Sequence, residues 1–541
     1  MKQSTPLSAL ALFAAHAVWA GPATYTKPNL DTTPPGESKS VNFNGASFIN
    51  KGLVGMGELA IGALDGRGDS QGSFSSFKID PKTWHRNPDG SYAGVLYTLP
   101  DRGYNAKGLA DYPARIQRYE VIFRPDYGRT NVAQPNLKLA FNSTHTLLDF
   151  KGNLTTGLDP DGDTLHGFSP VPVKDGKLTV DAEGLGLCKD GSFYVSEEYG
   201  ATIYHVDSTG RMLGLITPPT AFLPQFSVPT FKGFTTSDQA VKSQTGGRRD
   251  NHGLEGLDLT PDGRYLATML QSAPRQDCPG DKDVNRVYTR LLIYDLTKEA
   301  TPAKPAEHYL VELPTVSSSG SGKPANKTAA QSEIIALSRT TFLVLARDGN
   351  GNGSGKSGYE SKAAAVGYAE HPVVYKSILL VSTKGATNLA GTKFESGYDS
   401  AVQGSGATLA PAHGLIAAKP VDFISLLNPK QLARFGLDLN VIGASGVALA
   451  AKAGHQVGPL SSHSLSAKWE AMTIVSCCDP ASPDDYFLLV GNDNDFITQN
   501  GIMFGQTYDA LSVEAGAEIV ENLNRILVYR VTLPGYDATG R

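Results

Sequence analysis

Four segments of this chain repeat one pattern: an acidic residue, an apolar stretch, a turn, a second apolar stretch, then polar residues. They read AEGLGLCKDGSFYVSEEYG from Ala182, LEGLDLTPDGRYLATMLQS from Leu254, SEIIALSRTTFLVLARDGN from Ser332 and WEAMTIVSCCDPASPDDYFLLVGNDND from Trp469. The opening acids are Glu183, Glu255, Glu333 and Glu470. In the first three segments the interval to the end of the second apolar stretch is constant: Glu183 to Glu197, Glu255 to Met269, Glu333 to Arg347. The fourth carries an insertion in its turn. Lys189-Asp190-Gly191 and Pro261-Asp262-Gly263 have hairpin-turn chemistry between β-rich runs. A third strand follows each copy: ATIYHVDSTG, RLLIYDLTKE, KSILLVSTKG and RILVYRVTLP. An earlier, weaker copy begins at GMGELAIGALDG, with Glu58, and continues through VLYTLPDRGYN to RIQRYEVIFRP.

A single three- or four-stranded unit cannot bury both faces of its sheet, whereas radial stacking of units around an axis does. The repeat therefore predicts an all-β chain forming a single β-propeller of about six blades, with seven allowed, across residues 41–534. The remaining blade comes either from residues 137–180 or from pairing of N- and C-terminal strands. Residues 215–250 and 386–465 are rich in Gly, Ser, Ala, Pro and Thr and read as long insertions. VDFISLLNPKQLARFGLDLN, inside the second, holds a candidate short helix packed on the propeller.

Composition narrows the function classes. With 48 Lys+Arg against 53 Asp+Glu the net charge is −5, which excludes nucleic-acid binding by bulk charge. Forty per cent hydrophobic residues exclude a disordered tail, and 58 Gly with only 19% charged residues argue against helical bundles. Residues 1–20, MKQSTPLSALALFAAHAVWA, have the form of a secretory signal cleaved after Ala20. A secreted, extracellular protein without a membrane anchor, and a monomer, is expected. Sequons at Asn142, Asn153, Asn326 and Asn352 agree with export and N-glycosylation. In an oxidising compartment Cys188, Cys278, Cys477 and Cys478 are expected to form one or two disulfides, one of the adjacent pair bonding a distant partner.

In a radial repeat, equivalent positions converge near the axis. Glu58, Glu183, Glu255, Glu333 and Glu470 share one position; Asp101, Glu197, Glu198, Asp348, Asn492, Asp493 and Asp495 end the second strand. So many carboxylates around one channel call for a cation, because like charges raise one another's pKa. Oxygen ligands in a flexible ring suit Ca²⁺, with Mg²⁺ second. The predicted metal residues are Glu58, Glu183, Glu198, Glu255, Glu333, Asp348, Glu470 and Asp493. Arg102 beside Asp101 and Arg347 beside Asp348 are candidate ligands for an anionic group, with neutralisation of the channel the alternative. His252, just before Glu255, is a candidate acid or base. The predicted catalytic set is Glu183, Glu255, Asp101, Arg102, Arg347 and His252.

Several literal motif matches fail in context. Gly68-Asp-Ser70-Gln-Gly72 lacks the strand-to-helix turn of a nucleophile elbow. The run Asn350 to Ser357 lacks the first glycine of a phosphate-binding loop, and Asp159 to Asp163 lacks the closing Glu of a calcium loop.

AEGL, HGLEGL, QSEI and KWEAMT, taken with DRG, SEEYG, ARDGNG and NDND in this order, resemble the phytase-like domain family, labelled "esterase-like activity of phytase". The resemblance runs from about Val41 to Pro534. It implies a secreted β-propeller with phosphoester or ester hydrolysis. The acids it matches are Glu58, Asp101, Glu183, Glu197, Glu198, Glu255, Glu333, Asp348, Glu470 and Asp493. The RHGxRxP string of histidine-type phytases is missing, which argues against a phosphohistidine route. The expectation is a calcium-dependent hydrolase of phosphoesters acting on a small molecule. The alternatives are a lactone or carboxyl-ester hydrolase and a non-catalytic ligand-binding propeller.

Overall fold

The computed structural model describes residues 40–104, 111–128, 135–161, 171–231, 233–317, 324–353, 373–439, 462–510 and 521–538. The expected signal segment lies outside them. The chain is all-β, 45% strand against 7% helix.

Five four-stranded antiparallel units account for the long strands; the first and fifth are joined by a parallel pairing of Gly57 with Leu137 into one ten-stranded sheet that also takes in Ser40–Phe43 and His85–Arg86. The first comprises Ser76–Ile79, Tyr92–Leu99, Arg115–Phe123 and Leu137–Thr146. The second comprises Ala182–Leu187, Phe193–Glu197, Ile203–Val206 and Met212–Ile216. Leu254–Leu259, Tyr265–Leu270, Tyr288–Asp295 and Glu307–Glu312 form the third. The fourth is Ala330–Ser338, Thr341–Arg347, Lys376–Ser382 and Pro420–Ser425. The fifth takes Lys468–Ser476, Asp485–Asp493 and Arg525–Thr532 from the C-terminal part and Ala46–Glu58 from the N-terminal part.

The expected hairpins are in place. Gly191 and Gly263 adopt φ of 89° and 74°, and the Asp190 carboxylate accepts from the Ser192 N–H at 3.0 Å. All four expected third strands are found, as is the third strand of the weaker copy. The N- and C-terminal strands pair, Met56 opposite Leu527. Two expectations change. The described residues hold five units where the sequence suggests about six: Leu137–Thr146 is the fourth strand of the first unit, not the start of another. Glu58 ends the outermost strand of the fifth unit rather than opening a unit.

Both faces of the sheets are apolar, so side chains of one strand serve two interfaces. Ile334 and Ala336 pack toward the third unit, while Ile335 and Leu337 pack toward the fifth. Five apolar clusters result, each between two successive units, and the last joins the fifth unit to the first through Phe487, Val528, Phe77 and Phe123. The first strands of the units neighbour one another in the same cyclic order. Close approach there requires glycine: a Cβ on Gly184 would lie 2.6 Å from the Glu255 carbonyl oxygen and from Leu257 Cβ.

The first insertion folds as a short hairpin, Gln225–Phe226 with Gln244–Gly246, and a helix, Asp238–Ser243. The second supplies the outer strand Pro420–Ser425 and the expected helix, Pro429–Arg434, capped by Asn428 and packed through Leu432. The cysteines do not pair: all four are free thiols. Cys477 is in the cluster between the fifth and first units, Cys188 against that between the second and third, and Cys278 donates to the Lys282 carbonyl at 3.4 Å. Cys477 and Cys188 thus sit at different interfaces, and Cys478 is exposed. Among the described residues no helix is long and apolar enough to cross a membrane.

Candidate active site

Each first strand from the second unit to the fifth carries a bulge at its start. Ala182 pairs with Glu197 and Gly184 with Ser196, so Glu183 is the extra residue. Glu255 and Glu470 are the extra residues in the third and fifth units. A bulge leaves its residue out of the ladder and re-aims its side chain. In the fourth unit Gln331 pairs with Ala346 and Glu333 with Leu345, so the bulged residue is Ser332. The literal alignment of the opening acids is therefore off by one there, and a one-residue slip turns a side chain to the opposite side.

Glu333 accordingly leaves the ring. Its carboxylate accepts from Ser76 Oγ at 2.5 Å and from the Ile334 and Leu257 N–H groups at 2.9 and 3.2 Å. It lies 3.9 Å from Lys78 Nζ, which also reaches Asp258 at 3.3 Å and donates to the Met472 carbonyl at 3.3 Å. Since Ser76 Oγ in turn accepts from Leu185 N–H, this buried junction ties together strands of all five units. Glu58 leaves as well, paired with Arg525 at 2.7 Å. Neither is a candidate ligand in the cavity.

A cavity of about 300 Å³ lies over the bulges, and Glu183, Glu198, Glu255 and Glu470 line it. All four are buried. Glu183 makes no hydrogen bond or ion pair to another described residue. Glu255 accepts from Gln271 Nε2 at 2.5 Å through one oxygen, and its other oxygen has no hydrogen-bond partner. Glu198 accepts from the Gly253 N–H at 3.1 Å. Glu470 binds the Arg347 guanidinium through Oε1, while Oε2 accepts no hydrogen bond. Burial, and then a neighbouring carboxylate (Glu255 beside Glu183, Glu198 beside Glu255), raise the pKa of Glu183 and of Glu255 well above the usual carboxyl range. Burial and then Asp181 push Glu198 up to about 8. Burial raises Glu470 to about 7 against the pull of Lys468 and Arg347.

Two triads of carboxylates each bring ligand oxygens within 4.8 Å of one another: Asp181, Glu183 and Glu198, and Asp101, Asp493 and Asp495. Lys468 reaches into the second, touching Asp493 and lying 2.9 Å from Asp495 and 3.6 Å from Glu470. Burial disfavours its charge, yet the surrounding acids keep Lys468 protonated far above its ordinary value. Asp348 lines the cavity but commits both oxygens, to Lys376 at 3.0 Å and to the N–H groups of Asn350 at 3.1 Å and Tyr375 at 2.8 Å. Glu197 likewise clamps the Gly200 and Thr202 N–H groups, at 2.8 and 3.0 Å.

Among the basic candidates, Arg347 lines the cavity. Arg102 does not: it is engaged by Asp181 at 3.3 Å, Asp159 at 2.9 Å, the Tyr199 hydroxyl at 2.7 Å and Asn251 at 3.0 Å. His252 borders the cavity, but its Nε2 accepts from Arg286 at 3.1 Å. Burial, then Arg286 and Arg249, lower its pKa to about 3, so it stays neutral and does not serve as an acid near neutral pH. Arg286 and Lys327 also line the cavity, and the Arg286 Nε–H has no partner.

Residues 72–496 match the family described as phytase-like, "esterase-like activity of phytase". The chain belongs to the phytase-like family. An "Uncharacterized secreted protein" of Arthroderma benhamiae is 31% identical over 496 residues, which cover 84% of this chain and 88% of the relative. Among solved structures, the hydrazine synthase of Kuenenia stuttgartiensis aligns over 81% of each chain with 10% identity and a TM-score of 0.23, too low for a common fold to be drawn from it.

Within this phytase-like chain the sequence pattern missed Asp181 of the first triad and three residues that line the cavity, Lys468, Arg286 and Lys327. Asp181 and Lys468 stand two positions before Glu183 and Glu470. Reading two positions back from each opening acid finds both. Arg286 and Lys327 lie on connections whose lengths differ from unit to unit, and no repeat marks them.

Proposed function

We propose that this chain is a secreted, metal-dependent hydrolase of phosphoesters whose five units are the blades of a β-propeller around the cavity. The observation that carries the reading is the pairing, in one cavity, of the buried carboxyls Glu183 and Glu255, which have no cationic partner among the described residues, with Arg286 and Lys327. The first group suits a divalent cation, Ca²⁺ or Mg²⁺; the second suits an anionic substrate. The unbonded buried oxygen of Glu255, and Glu183, which has no hydrogen-bond or ion-pair partner among the described residues, fit such an ion, and Asp181 and Glu198 would complete its holders. A bound cation supplies charge stabilisation to a phosphoryl oxygen and neutralises the carboxylates.

The chain's own groups divide the remaining work. Arg286 and Lys327 hold the phosphate. Glu470, with a pKa of about 7, takes a proton at Oε2 from the attacking water while Arg347 fixes its orientation through Oε1; as the water oxygen bonds phosphorus the ester P–O bond breaks, and the leaving alkoxide takes its proton from solvent. The cyclic apolar interfaces and the paired N- and C-terminal strands support the propeller. Secretion is supported by the signal-like segment and by the name of the Arthroderma benhamiae relative, and a monomer remains the reading. N-glycans are assigned to Asn142, Asn153 and Asn326, which are exposed; Asn352 is buried, and its amide donates to the Glu521 carbonyl at 3.1 Å.

The test is purified protein against phosphomonoester, phytate, lactone and carboxyl-ester panels, with Ca²⁺ and with chelator. Chelator-sensitive phosphate release, lost in Glu255→Gln, is expected. Phosphate release indifferent to chelation removes the metal from the mechanism; turnover of lactones or carboxyl esters alone replaces the substrate class. No turnover of any substrate in Ca²⁺ makes the chain a binding protein.

A further inference from the structure

Two acidic triads meet the distance requirement for a divalent cation, and they differ in what already sits in them. The Lys468 ammonium occupies the triad of Asp101, Asp493 and Asp495, 2.9 Å from Asp495 and in contact with Asp493. In the other triad the ion pair found among the described residues is that of the Arg102 guanidinium with Asp181, at 3.3 Å. Glu183 has no cationic partner among the described residues. Beside it Glu255, 2% exposed, turns an oxygen without a hydrogen-bond partner into the same cavity.

We infer that the protein takes one divalent cation, held by Asp181, Glu183 and Glu198 with Glu255 facing the same cavity beside them, and that Lys468 is the resident cation of the second triad. An ion lying 2.3–2.6 Å from each ligand spans oxygens up to about 5 Å apart, which the 4.8 Å limit of the triad satisfies. A second divalent ion at Asp493 and Asp495 would need the same oxygens that Lys468 holds, and would meet its positive charge. Lys468 thereby fixes the stoichiometry and offsets the negative charge of Asp493 and Asp495 without metal. The inference rests on reading the cavity as a metal-dependent site.

Calorimetric titration of the chelator-stripped full chain with Ca²⁺, with metal content checked by elemental analysis, tests it. One ion per chain is expected for the native protein. Glu198→Gln should weaken that binding at least ~10-fold, while Asp495→Asn should leave the count at one and the affinity within about twofold. Lys468→Met should raise the count to two. Two ions in the native chain, or loss of the ion in Asp495→Asn with binding intact in Glu198→Gln, overturns the assignment of the triads while leaving metal dependence standing. No Ca²⁺ or Mg²⁺ bound by the native chain overturns both. If Lys468→Met does not fold, the Asp495→Asn and Glu198→Gln pair decides.

Discussion

Glu197 offers a measurement in which the magnitude comes from one buried group. Its side chain is fully buried, one oxygen clamps two backbone N–H groups, and the other has no hydrogen-bond partner. Burial outweighs those two bonds and the attraction of Arg248, and raises the carboxyl from 4.5 to about 7. In the unfolded chain the proton leaves near the ordinary value. As pH rises from about 4.5 to about 7, the unfolded state therefore loses its proton before the native state does, and stability falls across that window. At ~1.36 kcal/mol per pH unit the loss is about 3 kcal/mol. Glu197→Gln keeps the accepting oxygen and removes the titration. Denaturant unfolding of both proteins in chelator, at a series of pH values from 4.5 to 8, isolates the effect in the difference between them. The variant should gain on the native protein by about 3 kcal/mol over this range. A difference that stays flat to within about 1 kcal/mol would refute the reasoning, because one ionisation unit is worth ~1.36 kcal/mol.

Lys78→Met leaves the buried Glu333 and the partly buried Asp258 without their ammonium, and a loss of about 3–5 kcal/mol is expected from denaturant midpoints. Gly184→Ala sets a Cβ 2.6 Å from the Glu255 carbonyl oxygen. It should cost about 1–3 kcal/mol in thermal or chemical unfolding and weaken Ca²⁺ binding by displacing the Glu255 bulge. Peptide mapping of the exported protein should find glycans at Asn142, Asn153 or Asn326 and none at Asn352, whose glycosylation would contradict its burial.

The strand content was legible because each unit repeats hairpin chemistry and β-rich runs at a fixed spacing: the third strands and the Asp190 and Asp262 turns fall where the pattern puts them. The acids at Glu183, Glu255 and Glu470 were legible for the same reason. Glu333 was not, because a bulge at Ser332 rather than at the glutamate changes which side chain faces inward, and a bulge leaves no mark in residue spacing. Glu58 misled because GMGE resembles an opening strand, while the true one, Ser76–Ile79, is four residues long. Arg102 and His252 sit where the motifs place them, but their partners come from loops distant in sequence and take up their hydrogen-bonding groups. Lys468 escaped notice because its role depends on acids 25 and 27 residues away.

The central claim is that a phosphoester is hydrolysed in the cavity over the bulged strands, with Glu470 as base. The most direct measurement is steady-state phosphate release from a small phosphomonoester in Ca²⁺ by the native protein, Glu470→Gln and Lys327→Met, each verified as folded. The account predicts a kcat lowered by ~10²–10⁴-fold in Glu470→Gln and a raised KM with little change in kcat in Lys327→Met. Native kinetics in both variants would contradict it.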